Sequence, residues 1–262
     1  MPLLLLITII MLTFATVFLF LARQWLPFLA ASAGSGFDHQ LHLTLAAYGI
    51  ALLFVQLALA IFIWKFRRPS RRSLSRHSYG WPALEIVIML FTGAVFLTLG
   101  IEGGALSVNQ STVAKPQAIQ IEVTGTQFQW YFRYPGGDGK FGQTKPELID
   151  ASVGNPLGLD SSDPAAHDDV VAPQLIVSID RPVELTLKSQ DVVHSFFVPT
   201  MRLQMNAVPG LTTHASFTPT RTGTFDVVCS QLCGLGHYRM HGTVNVLSAE
   251  QFKKWLAAKE HR

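Results

Sequence analysis

The chain has 262 residues, enough for one or two domains. Hydrophobic residues make up 49% of the sequence and charged residues only 14%, against about 25% charged in a typical soluble domain, and the mean hydropathy is +0.31. This composition argues against a free-standing soluble enzyme and against a disordered chain. The formal net charge is +3 and reflects one basic cluster between two apolar runs, so it does not indicate nucleic-acid binding.

Three apolar stretches, at 2–22, 43–64 and 81–101, carry at most one charge each and reach the roughly twenty residues that a membrane-spanning helix needs. Six Lys and Arg residues lie at 65–76, between the second and third stretches. Because basic loops stay in the cytoplasm, the second span is predicted to run inwards and the third outwards. The remainder of the chain is then expected in the periplasm, outside the inner (plasma) membrane that the chain spans several times.

The first apolar stretch has two interpretations. The small residues at 31–34 resemble the cleavage site of a secretory signal peptide. The length of the apolar run and the lack of Lys or Arg before it favour instead a retained transmembrane helix with a cytoplasmic N-terminus. The sequence leaves both interpretations open.

From residue 117 the pattern changes to short alternating runs bounded by Gly, Pro, Asp or Ser, which is typical of strands and turns. These runs lie at 119–123, 175–177, 183–187, 224–228 and 242–246. Several short strands without helical segments between them predict an all-β sandwich or barrel.

The sequence therefore predicts N-terminal transmembrane α-helices followed by an all-β domain. An apolar segment occupies 1–34, a helical hairpin with its basic loop 35–104, and the exported β domain 105–248. Within that domain, 135–173 is rich in Gly, Pro and Asp and is predicted to be a surface insertion. Apolar residues at helical spacing predict an amphipathic helix at 249–262.

Four residues with metal-binding side chains lie close together directly after a predicted strand. Cys229, Cys233, His237 and Met240 fall within twelve residues. Thiolate and imidazole ligands select copper or zinc, and Met, a poor zinc ligand, favours copper. His194 is a candidate for a second imidazole ligand, and it is predicted to follow a strand.

A disulfide between Cys229 and Cys233 is the alternative in an oxidising compartment. It leaves His237 and Met240 without a role, whereas metal ligation also protects two exported thiols from oxidation. The pattern therefore favours a metal site.

Three motifs resemble subunit II of the haem–copper cytochrome c oxidases. They read His-Ser-Phe-Phe-Val-Pro at 194–199, Asn-Ala-Val-Pro-Gly at 206–210 and Cys-Ser-Gln-Leu-Cys-Gly-Leu-Gly-His-Tyr-Arg-Met at 229–240. Together with the two spans, the basic loop and the β domain, the resemblance covers about 43–255. It implies a cupredoxin-like sandwich or barrel that holds a binuclear copper centre, CuA.

The resemblance also implies a role for each ligand. Cys229 and Cys233 would bridge two coppers. His194 and Met240 would complete one copper, and His237 and the backbone carbonyl of Gln231 would complete the other.

A function and a set of partners follow from the same resemblance. The subunit would accept electrons from cytochrome c or a similar periplasmic donor and pass them to haem in subunit I, which reduces O2 to water coupled to proton translocation. No catalytic residue is expected in this chain. Its partners would be subunit I, subunit III, the electron donor and membrane lipid, without nucleic acid.

Four positions qualify the resemblance. In the strand before the insertion, Phe128 stands where the family usually has the Trp that receives the electron, and Trp130 keeps the second Trp of that run, with core packing as its alternative role. Gln231 replaces a common Glu that reaches a Mg²⁺ shared with subunit I, and a neutral amide is a weaker ligand for that ion. Glu85 matches the mouth of a proton-uptake channel, although an acid so near the end of a span also reaches water.

Two other functions suit parts of the pattern. A copper-delivery or assembly factor also uses Cys-x3-Cys with a distant His, but the thioredoxin-like βαβ pattern usual for such factors is missing from this sequence. A quinol-oxidase subunit II is a homologue that has lost the copper, and the complete set of ligands argues against it.

Overall fold

The computed structural model describes residues 2–22, 26–66, 80–111 and 117–260. The chain divides into two compact units, one made of Met1–Pro27 and Asp38–Ala105 and the other of Phe28–Phe37 and Leu106–Arg262. Continuous apolar runs build the first unit, which is helical, and short alternating runs build the second, which is a β-sandwich. The predicted fold class, apolar helices followed by an all-β cupredoxin-like domain, is confirmed.

The three apolar stretches form three helices, α1 Pro2–Ala22, α2 Gly34–Phe66 and α3 Pro82–Ser111. By length and hydropathy α2 and α3 are able to cross a membrane, whereas the apolar part of α1 is shorter. Many of their large apolar side chains are exposed in the single chain, as expected for helices that contact lipid or other subunits. From residue 67 onwards the predicted basic loop lies outside the described residues.

The described part of the β unit contains ten strands. Their bounds are β1 Ile119–Thr126, β2 Gln129–Tyr134, β3 Val170–Ala172, β4 Leu175–Ser178, β5 Val183–Ser189, β6 His194–Val198, β7 Leu203–Ala207, β8 Thr213–Phe217, β9 Gly223–Cys229 and β10 His241–Leu247. They form two five-stranded sheets, with the orders β3-β2-β1-β5-β8 and β4-β10-β9-β6-β7.

The core of the sandwich is built from the buried apolar residues of these strands. Trp130 of β2 and Phe196 of β6 are almost fully buried and meet edge to face, with ring centroids 5.4 Å apart. A C-terminal helix, α4 Ala249–Glu260, packs on the sandwich through Phe252 and Trp255. The core therefore forms a rigid framework directly beneath β6 and β9.

The five alternating runs that predicted strands all lie in strands, namely β1, β4, β5, β9 and β10. One detail of the prediction was wrong. His194 does not lie after the end of a strand but begins β6, because residues 194–198 pair with β7 and residues 196–197 also pair with β9. Phe128 lies in the turn of a hairpin, since β1 ends at Thr126 and β2 begins at Gln129.

The segment 135–173, predicted to be a surface insertion, makes more contacts with the sandwich than that prediction implies. Its last residues form β3, which pairs with β2. The buried guanidinium of Arg133 forms ion pairs with Glu122 and Asp169 and donates to the carbonyl of Gly142 at 2.5 Å. These contacts join both ends of the segment to the first sheet.

Residues 28–33 belong to the β unit. The amide of Ala30 donates to the carbonyl of Thr200 at 2.8 Å, and its carbonyl accepts from the amide of Thr220 at 2.8 Å. Ala30 and Ala31 are fully buried. The small residues that resemble a cleavage site thus overlap a segment that is part of the packed sandwich.

Candidate metal centre

The two cysteines lie side by side at the end of β9. Both are buried, and their Sγ atoms are 3.9 Å apart. This distance is far beyond the roughly 2.05 Å of a disulfide bond, and both thiols are free. Since metal–thiolate bonds are about 2.3 Å long, one metal ion can reach both sulfurs.

The loop after Cys233 returns His237 and Met240 to the same point. A 3-10 turn, His237–Arg239, follows Gly236 and reverses the chain before β10. The Nδ1 atom of His237 lies 3.4 Å from the Sγ atom of Cys233, and the Sδ atom of Met240 lies 3.7 Å from it. Met240 is buried and His237 is half-buried.

His194 approaches the cysteines from β6, the strand next to β9. Its ligand atom and the two Sγ atoms all lie within 4.8 Å of one another. The Nε2 atom of His194 lies 2.7 Å from Oδ1 of Asp191, and its Nδ1 atom is buried without a hydrogen-bond partner among the described residues. A fully buried imidazole nitrogen with a lone pair and no donor is suited to a metal ion.

Gln231 contributes its backbone rather than its side chain. Its carbonyl oxygen lies 3.2 Å from the Sγ atom of Cys229, whereas the residue as a whole is exposed. The donor atoms of His194, His237, Met240 and Gln231 therefore each lie within 4.8 Å of a cysteine sulfur.

The electrostatics of the site favour an uncharged Cys233 thiol when no metal is bound. Burial, and then the neighbouring Cys229, raise the pKa of the Cys233 thiol to about 11. Although burial opposes it, hydrogen bonds from His194 and from the amides of Val192 and Gln127 lower the pKa of Asp191. A metal that binds the thiolate must therefore displace a proton.

This donor set fits copper. It combines two thiols, two imidazoles, a thioether and a carbonyl, and soft sulfur with imidazole suits copper. Structural zinc sites are coordinated by four thiolate, imidazole or carboxylate ligands, and a thioether is not among the usual zinc ligands.

Phe128 and Trp130 occupy different environments. Phe128 is 36% exposed, and its ring lies against Gly234 and Gly236 of the ligand loop, where an added Cβ would collide with it. Trp130 is 1% exposed and packs against His194 with ring centroids 5.8 Å apart. Phe128 is therefore an exposed aromatic side chain in contact with the loop that carries the candidate ligands, and Trp130 is a core residue beside His194.

Glu85 lies in the first turn of α3, in the helical unit. Its carboxylate folds back over Gly80, and its backbone amide donates to the carbonyl of Trp81 at 3.0 Å. It is placed at the start of the helix, as the sequence predicted.

Two residues that contact the ligands were missed by the sequence reasoning. Asp191 accepts a hydrogen bond from His194, and Gln127 donates one from Nε2 to the carbonyl of Cys233 at 2.5 Å. The spacing Asp-x-x-His was the available signal for Asp191. Gln127 lies 106 positions from Cys233, so no local pattern indicates its contact.

Comparison with known proteins shows the family to which the chain belongs. Residues 119–247 match the family model described as cytochrome c oxidase subunit II, periplasmic domain. The chain is 34% identical over 240 residues to the alternative cytochrome c oxidase subunit 2 of Bradyrhizobium diazoefficiens, covering 91% of this chain and 84% of that protein. It is 28% identical over 222 residues to cytochrome c oxidase subunit 2 of Cereibacter sphaeroides, covering 78% and 69% of the two chains.

Among solved structures, the periplasmic domain of cytochrome oxidase subunit II from Bradyrhizobium japonicum aligns with a TM-score of 0.42 at 24% identity, over 57% of this chain and 98% of that one. The apolar helices, the β-sandwich and the sequence matches define a membrane-anchored oxidase subunit. The chain belongs to the cytochrome c oxidase subunit II family. As a subunit of a haem–copper oxidase, it works with partner subunits such as subunit I.

Proposed function

We propose that this subunit holds a binuclear CuA centre and is the point at which electrons reach the oxidase. One observation carries the proposal: His194 and the two cysteines have ligand atoms within 4.8 Å of one another, and His237, Met240 and the Gln231 carbonyl each lie within 3.7 Å of one of the two sulfurs. Cys229 and Cys233 would bridge the metals. His194 and Met240 would complete one metal site, and His237 with the Gln231 carbonyl the other.

The chain contributes rigidity and exclusion of water. When bound, two copper ions that share two thiolates supply a one-electron redox couple whose charge is spread over both metals. His194 begins β6 and Cys229 ends β9, which are adjacent strands of one sheet, so neither ligand is able to move far. Cys229, Cys233, Met240 and His194 are all buried, which keeps bulk water from the ligand atoms.

Phe128 is the proposed point of electron transfer into this site. Its ring contacts the loop that carries Cys233 and His237, and it is exposed to solvent. An electron donor such as cytochrome c that docks over Phe128 would come close to the ligand loop while every strand of the sandwich stays folded. From the ligand set the electron would pass to haem in subunit I, where O2 reduction is coupled to proton translocation.

The orientation in the membrane forms part of the proposal. The basic residues at 65–76 support a cytoplasmic loop and hence a periplasmic β domain. Glu85 would then lie at the cytoplasmic end of α3, where a carboxylate is able to take up protons for subunit I. The proposed cofactor is copper alone, because the exposed amide of Gln231 is a weak ligand for Mg²⁺.

Copper titration of the full chain, purified in detergent without metal, tests the proposal. We expect two copper ions per chain and an EPR signal with hyperfine splitting from two equivalent nuclei. Cys229→Ser should abolish this signal, and Ser230→Ala, a change at the next residue, should retain it. A chain that binds no copper would instead support a quinol-oxidase type of subunit, and a two-copper signal in Cys229→Ser would overturn the ligand assignment.

A further inference from the structure

Asp191 connects the His194 ligand with the hairpin between β1 and β2. Its Oδ1 atom lies 2.7 Å from Nε2 of His194, and its Oδ2 atom accepts from the amide of Gln127 at 2.6 Å. Oδ1 also accepts from the amide of Val192 at 2.6 Å, which closes the loop before β6. The carboxylate is therefore held from three directions, and its orientation is determined before any metal arrives.

The hydrogen bond from His194 selects one imidazole tautomer. A carboxylate accepts and does not donate, so we assign the ring proton to Nε2 and the lone pair to Nδ1. The ring also packs closely against the backbone of Gly125 and against Trp130. A Cβ added at Gly125 would lie only 3.0 Å from Cδ2 of His194 and 3.0 Å from Cζ3 of Trp130, so a side chain at this position would contact both rings. The buried Nδ1 atom is thus left as the free donor.

Gln127 connects the same hairpin with the second ligand segment. Its Nε2 atom donates to the carbonyl of Cys233 at 2.5 Å, while its amide binds Asp191. An added Cβ at Gly234 would lie 2.8 Å from Nε2 of Gln127 and 3.3 Å from the ring of Phe128. One residue therefore joins the segment of His194 to the segment of Cys233.

We propose that Asp191 and Gln127 are positioning residues that set the ligand geometry before copper binds. Asp191 holds the His194 ring with Nδ1 bare, and Gln127 holds the loop at Cys233 so that the sulfurs face this nitrogen. Groups that orient metal ligands in this way typically change metal affinity by roughly 10–100-fold when they are removed. This inference rests on the proposed copper site.

The tautomer of His194 tests the role of Asp191 without any metal. In the full chain labelled with ¹⁵N-histidine, held metal-free above pH 8, we expect His194 to carry its proton on Nε2. Asp191→Ala should shift it towards a mixture of tautomers, whereas Asp226→Ala, which removes an exposed carboxylate of β9, should not. Unchanged signals from His167 and His214 would show that the fold is intact.

An Nδ1-protonated His194 in the wild-type chain would overturn the role of Asp191, whether or not the variant folds. Failure of copper loading in a wild-type chain with Nε2-protonated His194 would instead overturn the proposed function. The two failures are therefore distinguishable.

Copper affinity and reduction potential test the role of Gln127. Gln127→Ala should weaken copper binding by roughly 10–100-fold and shift the reduction potential of the loaded centre. Gln129→Ala, which changes an exposed side chain two residues along the same hairpin, should leave both values at the wild-type level. If Gln127→Ala lowers only the melting temperature and leaves affinity and potential unchanged, Gln127 is structural and does not position the ligands.

Discussion

Phe196 of β6 lies directly opposite Cys229 of β9 in an antiparallel ladder. His194 lies two residues before Phe196 on the same strand and therefore shares its face of the sheet. This register brings His194 to the end of the strand that carries Cys229. A slip by one residue would turn His194 to the other face, so the pairing of β6 with β9 is what assembles the site.

Met240→Leu is expected to retain copper and to change the reduction potential of the centre. The thioether is a weak ligand, and Leu fills the buried position with a side chain of similar volume. Voltammetry of the copper-loaded chain measures the shift, and Met205→Leu in β7 is the matched control. Complete loss of copper from Met240→Leu would mean that the thioether is an indispensable ligand.

Gln231→Ala is expected to bind copper as the wild type does. Only the backbone carbonyl of this residue lies near the Cys229 sulfur, and the side chain is exposed. Copper content and EPR spectrum check this expectation. If the variant loses copper while its circular dichroism is unchanged, the side chain takes part in binding.

Phe128→Ala is expected to slow electron transfer from a cytochrome c donor without changing the copper spectrum. The ring lies between solvent and the ligand loop, and its removal lengthens the gap that the electron crosses. Phe128→Trp should give equal or faster turnover, because an indole is easier to oxidise. Turnover of the assembled oxidase is the measurement, and Leu148→Ala, a change at an exposed apolar residue, is the control. If Phe128→Ala turns over as fast as the wild type, Phe128 is not part of the electron-transfer route.

Ala31→Leu is expected to destabilise the β unit by about 1–3 kcal/mol, because overpacking a closed core forces neighbours apart. Ala31 is fully buried, whereas Ala33 is exposed, so Ala33→Leu is the matched control. Thermal unfolding of the two variants measures the difference.

The same packing predicts that the mature chain retains residues 28–33. Cleavage at 31–34 would break the hydrogen bonds of Ala30 with Thr200 and Thr220. N-terminal sequencing of the membrane-bound protein checks this, and a mature chain that begins at residue 34 would contradict it.

Asp160→Asn is expected to lower stability at pH 7 and to have less effect at pH 3. Hydrogen bonds from Lys145 and Ser162 lower the pKa of Asp160 well below its usual range. Because the pKa of Asp160 is lower in the folded state than in the unfolded chain, where it is about 3.9, the ionised carboxylate stabilises the fold at pH values above this unfolded value. This stabilisation is lost progressively as the pH falls below about 3.9. Melting temperatures of the wild type and the variant at both pH values test the prediction, and Asp226→Asn is the control. A difference in melting temperature between wild type and Asp160→Asn that is larger at pH 3 than at pH 7 would contradict it.

The sequence by itself predicted the apolar helices, half of the strands and the six candidate metal ligands. Long apolar runs and alternating runs are local patterns, so 43–64 and 183–187 predict their structures without knowledge of their neighbours. The cluster of Cys229, Cys233, His237 and Met240 lies within one short loop, and His194 was found by its motif.

Only the tertiary structure decided how these residues are supported. His194 begins β6 rather than lying after a strand, because residues 194–198 pair with β7 and residues 196–197 with β9. Gln127 binds the carbonyl of Cys233 across 106 positions, and Ala30 binds Thr220 across 190, contacts that no local pattern encodes. Local periodicity reflects the face that a segment buries, whereas hydrogen bonds between distant segments depend on sheet order and register, which form only when the whole sandwich closes.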